Sequence, residues 1–100
     1  MTSMTGDINR RIRIAVLSLL KTQYPGSLDL KVLKFSLDNL GYPLLDEHIS
    51  AHLSYLEEKG YLARTKRKGP GFEISFCTLT ARGWDLIDGH ITEKGIDDEL

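Results

Sequence analysis

The hydrophobic period of the chain changes from helical to alternating at Gly60, and that change sets the order of its elements. Before it, apolar residues recur at three- and four-residue spacing, as on one face of a helix; after it they alternate, as on one face of a strand. Ile8, Ile12, Ala15, Val16 and Leu19 predict a first helix from about Asp7 to Thr22, capped by Asp7 and stopped by Pro25-Gly26. Ile14, Leu17 and Leu20 fall off that stripe. This helix therefore carries more apolar surface than one packing partner covers, and a second subunit is expected against it. Leu30, Leu33, Leu37 and Leu40 predict a second helix that starts after Ser27 or Asp29 and ends at Leu40, with Gly41 as its left-handed cap. Tyr42-Pro43 keeps the next turn short. A third helix is expected from about Asp46 to Lys59, with Ile49, Leu53 and Leu56 inward and Gly60 closing it. Helices joined by so short a turn cross steeply, which is helix-turn-helix geometry.

After Gly60, Tyr61, Ala63 and Thr65 alternate with Leu62, Arg64 and Lys66, and Phe72, Ile74 and Phe76 alternate with Glu73, Ser75 and Cys77. Between these runs lies Arg67-Lys68-Gly69-Pro70-Gly71, where Pro followed by Gly suits the two central positions of a type II turn. The expectation is a two-stranded hairpin with a basic tip. Thr80 can cap a last helix from Ala81 to Asp88, anchored by Trp84 and Ile87 and stopped by Gly89. The expected fold is mostly α with a small β-hairpin, an α+β domain of three helices, a hairpin and a C-terminal helix over residues 7–90. A disordered segment is expected at 1–6 and an acidic, flexible tail at 91–100.

One hundred residues, 41% hydrophobic and 27% charged, suit one globular domain. No run approaches the roughly 20 apolar residues of a membrane span. Met1 to Gly6 lacks the regions of a signal peptide, so a cytoplasmic protein is expected, with no membrane partner. The net charge of -1 argues against coating nucleic acid by charge alone. Its distribution is uneven. Lys59, Arg64, Lys66, Arg67, Lys68 and Arg82 outweigh Glu57, Glu58 and Glu73 in the middle, whereas Asp85, Asp88, Glu93, Asp97, Asp98 and Glu99 face only Lys94 at the end. Cys77 is the single cysteine, so no internal disulfide can form, and its place in an alternating run suits a small half-buried residue.

The run Ile49-Ser50-Ala51-His52-Leu53-Ser54-Tyr55-Leu56-Glu57-Glu58-Lys59-Gly60-Tyr61-Leu62 resembles the recognition-helix segment of the ArsR, MarR and PadR families of bacterial regulators. Leu79-Thr80-Ala81-Arg82-Gly83 resembles the Leu-Thr-x-x-Gly that follows the wing in MarR and PadR proteins. The resemblance covers roughly residues 8–90, and the compact layout is similar to small winged-helix proteins of Mu-like prophages. It implies a winged helix-turn-helix protein that binds double-stranded DNA and regulates transcription, with the third helix in the major groove and the wing on the adjacent backbone or minor groove. The groove-facing positions it implies are Glu47, Ser50, Ala51, Ser54 and Tyr55, and the wing contacts are Arg64, Lys66, Arg67 and Lys68.

Cations on an exposed hairpin can neutralise phosphates and release their counterions. The third helix, in contrast, offers no Arg or Lys between Asp46 and Glu58, although arginine to guanine is the commonest specific base contact. That departure makes a protein-binding adaptor or anti-regulator the alternative function. Arg10, Arg11 and Arg13 either add a second backbone contact or solvate the outer face of the first helix, and solvation is the expectation. His48 and His52 lie one turn apart beside Asp46 and Glu47, and His90 lies near Glu93, but zinc needs more ligands than either spacing supplies, and satisfied or exposed histidines are expected. No phosphate loop, nucleophile elbow or paired acid is legible. A non-enzyme without a cofactor or metal is the expectation, acting as a homodimer on DNA.

Overall fold

The computed structural model describes residues 3–92. Its elements run α1 (Ser3–Lys21), β1 (Ser27–Asp29), α2 (Leu30–Asn39), α3 (Asp46–Glu58), β2 (Leu62–Gly69), β3 (Phe72–Leu79) and α4 (Ala81–Ile87). Among the described residues this is an α+β domain of four helices and one antiparallel three-stranded sheet, in the order β1-β3-β2.

α1 is the central helix, and it buries two stripes rather than one. Ile12, Val16, Leu17 and Leu20 are all at most 2% exposed, because α2, β3 and α4 each pack against α1. Leu17 and Leu20, expected to seek a second subunit, are thus covered within the chain; Ile14 and Ile8 stay exposed. The helix also starts earlier than expected. Residues 3–6 form its first turn, and Asp7 lies inside it, paired with Arg10 along the helix instead of capping the end.

α2 is capped by Asp29, whose carboxylate accepts the amide of Lys31 at 2.8 Å. It ends in a Schellman turn, with Gly41 at φ 95° and the Tyr42 amide returning to the Leu37 carbonyl at 2.8 Å. Leu33 and Leu37 enter the core. Leu40 was expected to do so, but it lies beyond the last helical turn and is 55% exposed. α3 closes in the same way, with Gly60 at φ 85° and Tyr61 bonded to Leu56 at 2.9 Å. Ile49, Leu53 and Leu56 face inward as their spacing predicts.

The sheet differs from the expected hairpin in two respects. β1 is a third strand: Ser27, Leu28 and Asp29 pair with Thr78, Cys77 and Phe76. Three residues are too few to show alternation, so this strand had no signal of its own. The hairpin is also longer. Its register runs unbroken from Leu62 opposite Leu79 to Gly69 opposite Phe72, leaving only Pro70 and Gly71 in the turn, where Gly71 takes φ 82°. Arg67 and Lys68 therefore lie within β2, and the tip is not basic.

α4 is held by Leu79-Thr80-Ala81-Arg82-Gly83, and each polar member of that run has a task. The Thr80 hydroxyl accepts the Gly83 amide at 3.0 Å, capping the helix, and donates to the Gly60 carbonyl at 2.6 Å. Arg82 Nε donates to the Lys59 carbonyl at 3.1 Å. Gly83 is buried because a Cβ there would collide with the Tyr61 carbonyl and the Leu79 side chain. Leu86 is the deepest anchor of α4, while Trp84 and Ile87, expected in that role, pack at the core edge together with Ile91. The acidic tail from residue 93 lies outside the described residues. Among those described, no helix is long and apolar enough to cross a membrane.

Gly83→Ala should lower the unfolding free energy by roughly 1–3 kcal/mol, because the backbone carbonyl beneath it cannot yield. That loss would come despite the gain of about 1 kcal/mol that alanine brings to an open helix position. Thermal unfolding of the two proteins measures it, and an unchanged or raised Tm would contradict the packing described.

Candidate nucleic-acid interface

α3 buries one side and presents the other. Glu47, Ser50, Ala51 and Ser54 follow the three- and four-residue spacing of a single helical face, and all four are exposed. Ser50, Ala51 and Ser54 are small, so a broad surface can approach the helix axis closely. Tyr55 stands apart from this set. It is half-buried against the core, with the Arg13 guanidinium 3.9 Å from its ring centroid and Lys59 Nζ at 5.7 Å.

The hairpin is fastened to α3 through Arg64. Its Nε donates to Glu57 Oε1 at 2.9 Å, and its Nη2 donates to Ser54 Oγ at 3.0 Å. Two of the expected contact residues, Arg64 and Ser54, thus bind each other, and their first effect is to hold the base of β2 beside α3. Strand alternation then sorts the remaining cations. Lys66 and Lys68 share the face of Arg64, and Lys66 Nζ lies 3.4 Å from Glu73 Oε2. Arg67 points to the other face, 5.6 Å from the Phe76 ring centroid. The three do not form one patch. They flank the two sides of a narrow ribbon.

The carboxylates of α3 are partly neutralised. Lys34 Nζ reaches Asp46 at 2.6 Å and Arg64 holds Glu57, while Glu47 remains largely exposed. Asp46 and Glu47 sit in the first turn of α3, where the helix dipole favours negative charge.

A second tie joins α3 to α1. Arg13 Nε donates to His52 Nδ1 at 3.2 Å while its guanidinium covers Tyr55, so Arg13 bridges two helices and does not simply solvate the outer face of α1. Burial, followed by the positive charge of Arg13 and the proximity of His48, holds the His52 pKa below its ordinary value. A neutral ring that accepts at Nδ1 carries its proton on Nε2. Among the described residues, no group of three or more His, Cys, Asp or Glu gathers as a metal site. His90 lies 3.4 Å from Asp85, and Glu93 is outside the described residues. Cys77 is buried, and burial pushes its thiol up to about 11, which keeps it protonated and unreactive at neutral pH.

No family model matches the chain, and no curated protein matches it.

Arg13, Lys34 and Glu57 are members of this surface that sequence spacing did not single out as partners. Glu57 had a trace of a signal, since it stands on the far side of the Gly60 turn from Arg64. Arg13 had none, because its partner is 39 residues away.

The depressed His52 pKa has a pH signature. The folded state binds the proton less readily than the unfolded chain, whose histidine titrates near pH 6.5, so this contribution is complete above that pH and declines as the pH falls below it. Tm should fall between pH 7.5 and 5.0, and His52→Gln should remove part of that dependence. Equal pH profiles for the two proteins would contradict the role given to the Arg13–His52 bond.

Proposed function

We propose that this chain is a winged helix-turn-helix protein that binds duplex DNA and regulates transcription without a cofactor or catalytic step. In this reading α3 enters the major groove by its Glu47, Ser50, Ala51 and Ser54 face, and the β2–β3 hairpin is the wing. The observation that carries it is the Arg64 tie to Ser54 and Glu57, which fixes a cation-bearing ribbon beside an exposed helix face of small residues. Lys66 and Lys68 meet phosphates on one side of the ribbon and Arg67 on the other. Ser50 and Ser54 supply hydroxyls to bases or phosphates. With no Arg or Lys on the exposed face of α3, affinity rests on the backbone and base discrimination is modest.

Self-association through Ile8 and Ile14 on α1 would present two such surfaces, with half-sites about 10 base pairs apart. One observation favours an adaptor that binds a protein instead: the Glu47 carboxylate, with only His48 beside it at 4.0 Å, is exposed on the face that would meet the groove. The two readings part on salt.

Replacing Lys66, Arg67 and Lys68 with alanine should weaken binding to every duplex and flatten the slope of log affinity against log salt by up to about 3, roughly one unit per lost contact. Circular dichroism should remain unchanged, since exposed substitutions usually alter stability by less than about 0.5 kcal/mol. Full affinity in the triple variant would remove the hairpin from the interface. No duplex binding by the unchanged protein at low salt would favour the adaptor.

A further inference from the structure

The far end of the hairpin does not resemble its middle. β1 reaches only as far as Phe76, so beyond that residue the sheet is two strands wide. The cations stop at Lys68, and the tip consists of Gly69, Pro70, Gly71 and Phe72. Two glycines leave the ribbon narrow there. The one large side chain is Phe72, 53% exposed, in register with Gly69. A Cβ on Gly69 would run into the Phe72 ring, so the ring lies across the glycine backbone. Phe72, Ile74 and Phe76 line the outer face of the ribbon, apart from the core. A hairpin that gripped only phosphates would need cations at its tip. This one carries an exposed aromatic ring, with Arg67 behind it on the same face and Lys68 on the other.

We propose that Phe72 is an apolar wedge that the hairpin tip sets into the minor groove of duplex DNA. The inference rests on the DNA-binding reading above and adds a residue and a mode of recognition to it. The minor groove is about 6 Å wide and admits only a slim probe. Apolar side chains that enter it part a base step and kink the duplex, while cations on either flank meet the two phosphate strands. Selectivity then comes from deformability. Pyrimidine–purine steps such as TA unstack most easily, so sites rich in them are favoured without a base-specific hydrogen bond. This supplies a preference that the exposed face of α3, with no Arg or Lys, does not.

The test uses the full chain and a duplex of alternating TA steps in which 2-aminopurine replaces single adenines, since this base brightens when unstacked. Saturating protein should raise the fluorescence. Phe72→Ala should abolish the rise and weaken binding by about tenfold, with the salt slope unchanged, because an apolar contact releases no counterions. Phe72→Leu still covers Gly69 and should keep most of the affinity, which separates loss of the wedge from loss of the hairpin. Lys68→Ala should do the reverse, flattening the slope by about one unit while the bound duplex still brightens. Tight binding by the unchanged protein without any rise in fluorescence overturns the inference alone, as does full affinity in Phe72→Ala. If the unchanged protein binds no duplex at any salt concentration, the DNA-binding reading fails, and the inference fails with it.

Discussion

The segment Lys59-Gly60-Tyr61 is the fixed point of this domain. α4 rests directly on it: the Thr80 hydroxyl donates to the Gly60 carbonyl, Arg82 donates to the Lys59 carbonyl, the Thr80 amide donates to the Tyr61 carbonyl, and Gly83 gives up its side chain so that the helix can come that close. Tyr61 itself is fully buried, with the Arg82 guanidinium 5.1 Å from its ring centroid. Gly60 reverses the chain in a conformation that other residues rarely adopt. Everything after α3 leaves from this clamp. The angle at which β2 departs, and hence the position of the hairpin relative to α3, follows from it. The Leu-Thr-x-x-Gly run is therefore a packing device, and its link to function is indirect.

Two side-chain ties then complete the exposed surface. Arg64 reaches back from β2 to Ser54 and Glu57, and Arg13 reaches from α1 to His52 and Tyr55. The exposed Arg64–Glu57 ion pair adds little to stability, typically about 0–1 kcal/mol, and the Arg13 tie is a hydrogen bond and a cation–π contact. Their effect is on geometry, because each joins elements that would otherwise meet only through the core. The tie at Arg64 also neutralises Glu57, just as Lys34 neutralises Asp46, so α3 presents less negative charge than its sequence suggests.

Helical elements were legible wherever their caps and stripes agreed. α3 was placed to within a residue by Ile49, Leu53, Leu56 and Gly60, and α4 by Thr80 and Gly89. Pro70-Gly71 located the turn, but continuous pairing through Arg67 and Lys68 depends on cross-strand bonds that alternation alone does not reveal. β1 has no signal of its own because its three residues are defined by the partner strand. The second buried stripe of α1 was visible as excess apolar surface, yet nothing local distinguishes a neighbouring element of the same chain from another subunit, and Leu17 and Leu20 belong to the former. Of the candidate site, Glu47, Ser50, Ala51 and Ser54 do share an exposed face, as helical spacing requires. Tyr55, Arg64 and Arg67 have partners that only the folded chain could disclose.

The proposed interface would lay duplex DNA across the exposed face of α3 and the β2–β3 hairpin. Amide resonances followed by NMR during titration with a short duplex of mixed sequence test it most directly. DNA binding there should shift the amides of Ser50, Ala51 and Ser54 and those of Lys66 to Gly69, Gly71 and Phe72, with the buried strand ends and α4 unmoved. Shifts confined to α1 and α4, or none at low salt, would contradict it.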